Sequence, residues 1–165
     1  MNYTLAIDPG TTQSAYVIYD PLKWKIKEKG ILDNMDMVHL LRGGFDYTDL
    51  AIEQIKSYGN CAGDSLFLTC FWSGRFVEAW GKDYVMIPRK TVVTELCLTP
   101  TAGDSAVRRV ILDMFNAKYP YGKGREPSVG TSKAPGSLYG VIKDIWSALA
   151  VALAYQQVSL REALK

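Results

Sequence analysis

Asp8, Glu53 and Asp144 are the carboxylates of this 165-residue chain that sit inside apolar sequence. Asp8 closes the run Leu5-Ala6-Ile7 and is followed at once by Pro9-Gly10. Glu53 is embedded in Leu50-Ala51-Ile52-Glu53-Gln54-Ile55, and Asp144 opens the apolar stretch Ile145-Trp146-Ser147-Ala148-Leu149-Ala150. Gathering three carboxylates is costly unless a cation neutralises them or a proton stays bound. Hard divalent cations take such oxygen ligands, and two Mg²⁺ ions about 4 Å apart can activate a water and stabilise the leaving oxygen of a phosphodiester. That chemistry requires neither histidine nor cysteine. Taken singly, Asp8 could be a turn residue, Glu53 a solvent-facing or Lys-paired acid, and Asp144 a favourable charge at a helix N-terminus. Their order and surroundings make a triple coincidence a poor explanation.

The elements that must position these acids follow from the pattern of apolar residues. Residues 3–8 read as a buried strand with Asp8 at its tip, where ligands gather in α/β sheets. Residues 14–19 and 24–32 complete an antiparallel meander of three strands. Asn34 or Asp36 is expected to cap a short helix ending near Leu41, before Gly43-Gly44. Residues 49–55 read as a buried strand parallel to the first. Asp64 or Ser65 caps a long helix through Trp80, apolar on nearly all sides, which is either central to the core or shared with a second subunit. Residues 84–88 form a short strand, Arg89-Lys90-Thr91 begins a helix or loop, and residues 104–115 form another helix. Residues 118–139, rich in Gly, Pro and basic side chains with Tyr119 and Tyr121 among them, read as a long loop. Residues 141–164 form the last helix, with Asp144 in its first turn on one face with Ser147 and Ala148. The expected class is α/β, with a five-stranded mixed sheet of a three-strand meander plus two parallel strands, flanked by helices in one domain over residues 1–165.

Composition narrows the classes. The hydrophobic fraction of 48% and charged fraction of 22% are those of a soluble globular protein. A net charge of +2 is compatible with a nucleic-acid partner without implying one. Cys61, Cys70 and Cys97 have no metal-type spacing and read as reduced structural thiols of an intracellular protein, and His39 is the one histidine. A histidine-rich zinc site is thereby excluded. No signal peptide or bilayer-spanning segment is expected. The lysines at 23, 25, 27 and 29 read as protection of an edge strand. In the 118–139 loop, Lys118, Lys123, Arg125 and Lys133 lie among Tyr119 and Tyr121, a mix that suits backbone and stacking contacts with nucleic acid or equally a solvated flexible loop. Lys90, Arg108, Arg109, Lys123, Arg125 and Lys133 are the candidates for phosphate contacts, each also readable as an ordinary surface charge.

Ala6-Ile7-Asp8-Pro9-Gly10 resembles the first motif of RuvC-type Holliday junction resolvases, in the RNase H-like (retroviral integrase) superfamily. Ala51-Ile52-Glu53-Gln54-Ile55 resembles the second, and Asp144-Ile-Trp-Ser147-Ala-Leu-Ala-Val-Ala the third. The helix containing Ser73-Gly74-Arg75 is placed like the family's dimer helix, and the Gly-Thr-Ser-Lys-Ala-Pro-Gly stretch looks like phage-encoded relatives. The resemblance implies an RNase H-like nuclease acting in the cytoplasm (that of a bacterial host if phage-encoded). It implies a homodimer through the helix at about 65–80 that cuts four-way or branched DNA with Mg²⁺ or Mn²⁺, two per site. Asp8, Glu53 and Asp144 would carry over as catalytic metal ligands. One position departs: the family's second acid of the third motif is here Ser147, a weaker and neutral ligand. Two other classes compete. Asp8-Pro-Gly-Thr11-Thr12 also resembles the phosphate hairpin of sugar-kinase/actin-like ATPases, which need a second such domain. A branch-binding protein without catalysis would share the basic residues and explain Ser147.

Overall fold

Leu5, Ala6 and Ile7 are all fully buried, and the strand that carries them, β1 (Tyr3–Asp8), is the centre of the sheet. The computed structural model describes residues 3–45, 48–57, 59, 63–118, 123 and 125–163. Cys61, Tyr119, Tyr121 and Leu164 lie outside them. Then follow β2 (Gln13–Asp20), β3 (Lys25–Asp33), α1 (Asn34–Arg42), β4 (Thr48–Gln54), α2 (Asp64–Trp80), β5 (Tyr84–Pro88), α3 (Arg89–Cys97), α4 (Asp104–Lys118), β6 (Gly130–Thr131), β7 (Ala134–Pro135) and α5 (Ile145–Ala163). The main sheet has the order β3-β2-β1-β4-β5. β1, β2 and β3 pair antiparallel, while β4 and β5 join β1 in parallel, so the expected mixed sheet is present.

The alternation of side chains divides the core into two layers. Leu5, Ile7, Leu50 and Ile52 face one side, against Met37, Val38 and Leu41 of α1 and Phe76 and Trp80 of α2. Ala6 and Ala51 face the other side, where α5 lies with Ala148, Leu149, Ala150, Val151 and Ala152 in one cluster that also takes in α3 and α4. Every residue of α5 from Ala148 to Ala154 is buried, as expected of a helix that is apolar all round. Alanines on both the strands and α5 let the backbones approach closely, which brings the start of α5 down onto the ends of β1 and β4.

Several boundaries move for physical reasons. Asp33, not Asn34 or Asp36, is the N-cap of α1, and it makes no side-chain cap bond. Asn34 is turned inward instead: its Nδ2 donates to the Gly10 carbonyl at 3.0 Å. Gly63, not Asp64 or Ser65, is the N-cap of α2, and α4 extends past Phe115 to Lys118. α5 starts at Ile145 rather than Val141, so Asp144 immediately precedes the helix instead of lying in its first turn. Lys143, in the left-handed region at φ 46°, turns the chain there. The segment read as loop from 118 to 139 contains the two-stranded hairpin of β6 and β7. Gly130 has φ 70° where a Cβ would meet the Ala134 carbonyl oxygen at 2.3 Å, so only glycine closes this hairpin. Cys70 and Cys97 are free thiols, Cys70 exposed on the face of α2 turned away from the sheet and Cys97 half-buried. β3 is an edge of the sheet, in keeping with the protective reading of its lysines.

Candidate active site

The register of β1 on β4 pairs Ile7 with Ile52, so Asp8 and Glu53 come next on adjacent parallel strands. They share parity with Ala6 and Ala51 and therefore point to the α5 side of the sheet. Asp144 and Ser147 stand at the start of the helix packed on that side. The Ser147 hydroxyl is close enough to the Asp8 carboxylate to favour its ionised form. Asp8 has its pKa raised from 3.8 to about 7 by burial first, then by the charges of Glu53 and Asp144, against the opposing pull of Arg89 and Ser147. Glu53 is 6% exposed, and burial pushes its pKa up against the lowering effect of Arg89. Fold and register thus bring together all three acids singled out in the sequence, and Ser147 with them.

The turn after Asp8 is tied down from below. Ser14 Oγ accepts from the Gly10 amide at 3.1 Å, and Ser14 is hydrogen-bonded in turn to Asn34. A Cβ on Gly10 would meet the Gln13 carbonyl oxygen at 2.2 Å, so the turn demands glycine.

Arg89 was not a sequence candidate. It begins α3 directly after β5, and its Nη1 lies 3.5 Å from Glu53 Oε2 while Nη2 pairs with Asp104. The only local signal was an arginine following a strand beside a site strand. Beyond Arg89 opens a pocket of 390 Å³ lined by Arg89, Asp104, Ser105, Arg108, Arg109, Lys143, Asp144, Trp146 and Ser147, among others. Arg108 and Arg109 thus share a pocket with Asp144 and Ser147, though not with Asp8 or Glu53, and Lys143 joins them unforeseen. The Arg108 guanidinium stacks 4.8 Å from the Trp146 ring centroid. Arg109 is held by Asp113 at 2.9 Å and by Glu126 at 3.0 Å. Lys90, Lys123, Arg125 and Lys133 are exposed and do not line this pocket.

No protein-family model and no curated protein matches the sequence. Solved structures do. A structure of Thermus thermophilus RuvC superposes with a TM-score of 0.66 over 97% of this chain and 96% of that one, at 14% identity. This chain has the fold of RuvC. A second match is T. thermophilus RuvC in complex with a Holliday junction substrate, with a TM-score of 0.62 over 95% of this chain and 94% of that one, at 13% identity. The five-stranded sheet and its helices are accordingly RNase H-like.

The donors fit a hard divalent cation in chemistry: carboxylate oxygens, one of them with its pKa raised by burial and then by its neighbours' charges. The side chains as they stand do not close into a cage, since no group of three His, Cys, Asp or Glu among the described residues is arranged around a common point. The Arg89 guanidinium bonds one Glu53 oxygen.

Proposed function

We propose that the chain is a metal-dependent, structure-specific DNA endonuclease of the RuvC type, a single nuclease domain that hydrolyses phosphodiester bonds at Holliday junctions or other branched DNA. The observation that carries the reading is the placement of Asp8 and Glu53 at the ends of adjacent parallel strands with Asp144 at the start of α5, where burial and then the charges of the other two raise the pKa of Asp8. The RuvC fold and a neighbour seen with a Holliday junction support the substrate class.

Asp8, Glu53 and Asp144 would hold Mg²⁺ or Mn²⁺, with Ser147 as a weaker oxygen beside them; bound cations there would supply an activated water and neutralise charge on the leaving oxygen. The protein's own groups do the rest. Burial of Glu53 and packing of α5 fix the carboxylates on a rigid sheet. The Ser147 hydroxyl favours the ionised form of Asp8 that would bind the cation. Arg89, Arg108 and Lys143 give the adjoining pocket the cations needed to receive the phosphate backbone.

The homodimer belongs to the same proposal. Phe67 and Phe71 are 62% and 57% exposed on α2, with Leu68 beside them. An apolar face of this kind on a helix suits a second copy, and paired cuts across a junction require two sites. Among the described residues no helix is long and apolar enough to cross a membrane.

The test is cleavage of a labelled four-way junction by the wild type and by Asp8→Asn, with Mg²⁺, Mn²⁺ or EDTA, alongside a linear duplex and a fork. Metal-dependent paired nicks that vanish in Asp8→Asn, while binding survives, are expected. Binding with no cutting in either metal favours the branch-binding reading instead; cutting only the fork keeps the chemistry and changes the substrate.

A further inference from the structure

Arg89 is clamped between two acids from different elements. Its backbone is fixed by β5, whose last residue Pro88 pairs with Gln54 of β4. One edge of its guanidinium meets Glu53, whose side chain is nearly buried; the other meets Asp104 at the start of α4, whose side chain is almost fully exposed. Arg89 and Asp104 both line the basic pocket with Arg108 and Lys143. A guanidinium presents its donors as a planar fork that suits carboxylate and phosphate alike. Asp104 therefore occupies the pocket-facing edge that an incoming phosphate would use.

We propose that Asp104 sets how tightly this site holds a DNA phosphate, by competing with it for the outward edge of Arg89. The inference rests on the nuclease reading above and adds a residue that no motif singles out. The two ends of the clamp are unequal. The Glu53 end is shielded from water, whereas the Asp104 end is bathed in it, so its ion pair is worth little and exchanges readily. The phosphate displaces Asp104, and Arg89 stays in place while its partner changes. Asp104 is freed into solvent at a helix N-terminus, where its charge is well accommodated.

The experiment is a double-mutant cycle read by binding, in EDTA, so that cleavage plays no part. Fluorescence anisotropy with a labelled four-way junction is measured for wild type, Asp104→Asn, Arg89→Gln and the double variant across a range of salt, with circular dichroism and thermal melts to establish that each is folded. Asp104→Asn is expected to bind about fivefold more tightly. Arg89→Gln is expected to bind more weakly, with its salt slope lower by about one. In the Arg89→Gln background the gain from Asp104→Asn should shrink below about twofold, since an exposed charge acting alone is largely screened. An equal gain in both backgrounds makes Asp104 a plain source of repulsion and overturns the proposal, as does no gain in either. Failure of the wild type to bind any junction overturns the nuclease reading and this inference with it.

Discussion

Ser14 Oγ donates to Asn34 Oδ1 at 2.6 Å, joining the second strand to the first residue of α1 beneath the turn that follows Asp8. Asn34 returns its own amide to the Gly10 carbonyl, so the Pro9-Gly10 turn is held from both sides. The bond is buried, and removing either partner strands the other. Ser14→Ala or Asn34→Ala should cost about 1–3 kcal/mol in urea unfolding. Cleavage should fall beyond the loss of folded protein, because the turn sets where Asp8 points. A variant with full stability and full activity would show that the turn holds itself.

Asp8 predicts a pH dependence of stability in the absence of divalent cations. Its pKa is about 7 when folded against 3.8 as an ordinary carboxyl, so between these values the folded state holds a proton that the unfolded state has lost. Stability should therefore be greatest at the acid end of this window and decline as pH rises toward 7 and above. Asp8→Asn removes the burden and should be more stable than wild type at pH 8 by on the order of 2 kcal/mol, discounting for the partial exposure of Asp8. Urea unfolding of both proteins in EDTA at pH 5 and pH 8 measures this. Added Mg²⁺ should narrow the gap at pH 8.

Ser147 lowers the pKa of Asp8 through its hydroxyl. Ser147→Ala should therefore leave Asp8 harder to ionise and raise the Mg²⁺ concentration needed for half-maximal cleavage. Ser147→Asp, which places a second acid three residues after Asp144, should lower that concentration. A metal titration of junction cleavage distinguishes the three proteins; identical curves would remove Ser147 from the site.

Arg108 and Arg109 are neighbours in sequence with different prospects. Arg108 stacks on Trp146 in the pocket that holds Asp144, whereas Arg109 already serves Asp113 and Glu126. Arg108→Gln should weaken junction binding and lower the salt slope by about one, while Arg109→Gln should leave the slope unchanged. The reverse pattern would place the DNA over the other side of α4.

Phe67→Asp and Phe71→Asp should turn a dimer into a monomer by sedimentation at micromolar concentration. Stability of the protomer should change by no more than about 0.5 kcal/mol, since both rings are exposed in it. A wild type that sediments as a monomer would count against both the dimer and paired cutting.

The acids, the strands that carry Asp8 and Glu53, and the parallel pairing between them were legible in the sequence, because apolar runs ending on or interrupted by a carboxylate are a local pattern. The alanine-rich stretch likewise announced a helix that must lie against a sheet. Boundaries were less legible: Asn34 reads as a cap locally, but tertiary contact with Gly10 gives its side chain a different partner. What only the tertiary structure decided is the company the acids keep. Arg89 and Asp104 are 36 and 51 residues from Glu53 in sequence (89 − 53 and 104 − 53), and no periodicity links them. Arg89 meets Glu53 because β5 pairs with β4, and Asp104 meets Arg89 because α3 and α4 fold back over α5. Local propensity writes strands, helices and their buried faces into the chain; which charges face one another depends on how those pieces pack, and there the chemistry of this site is set.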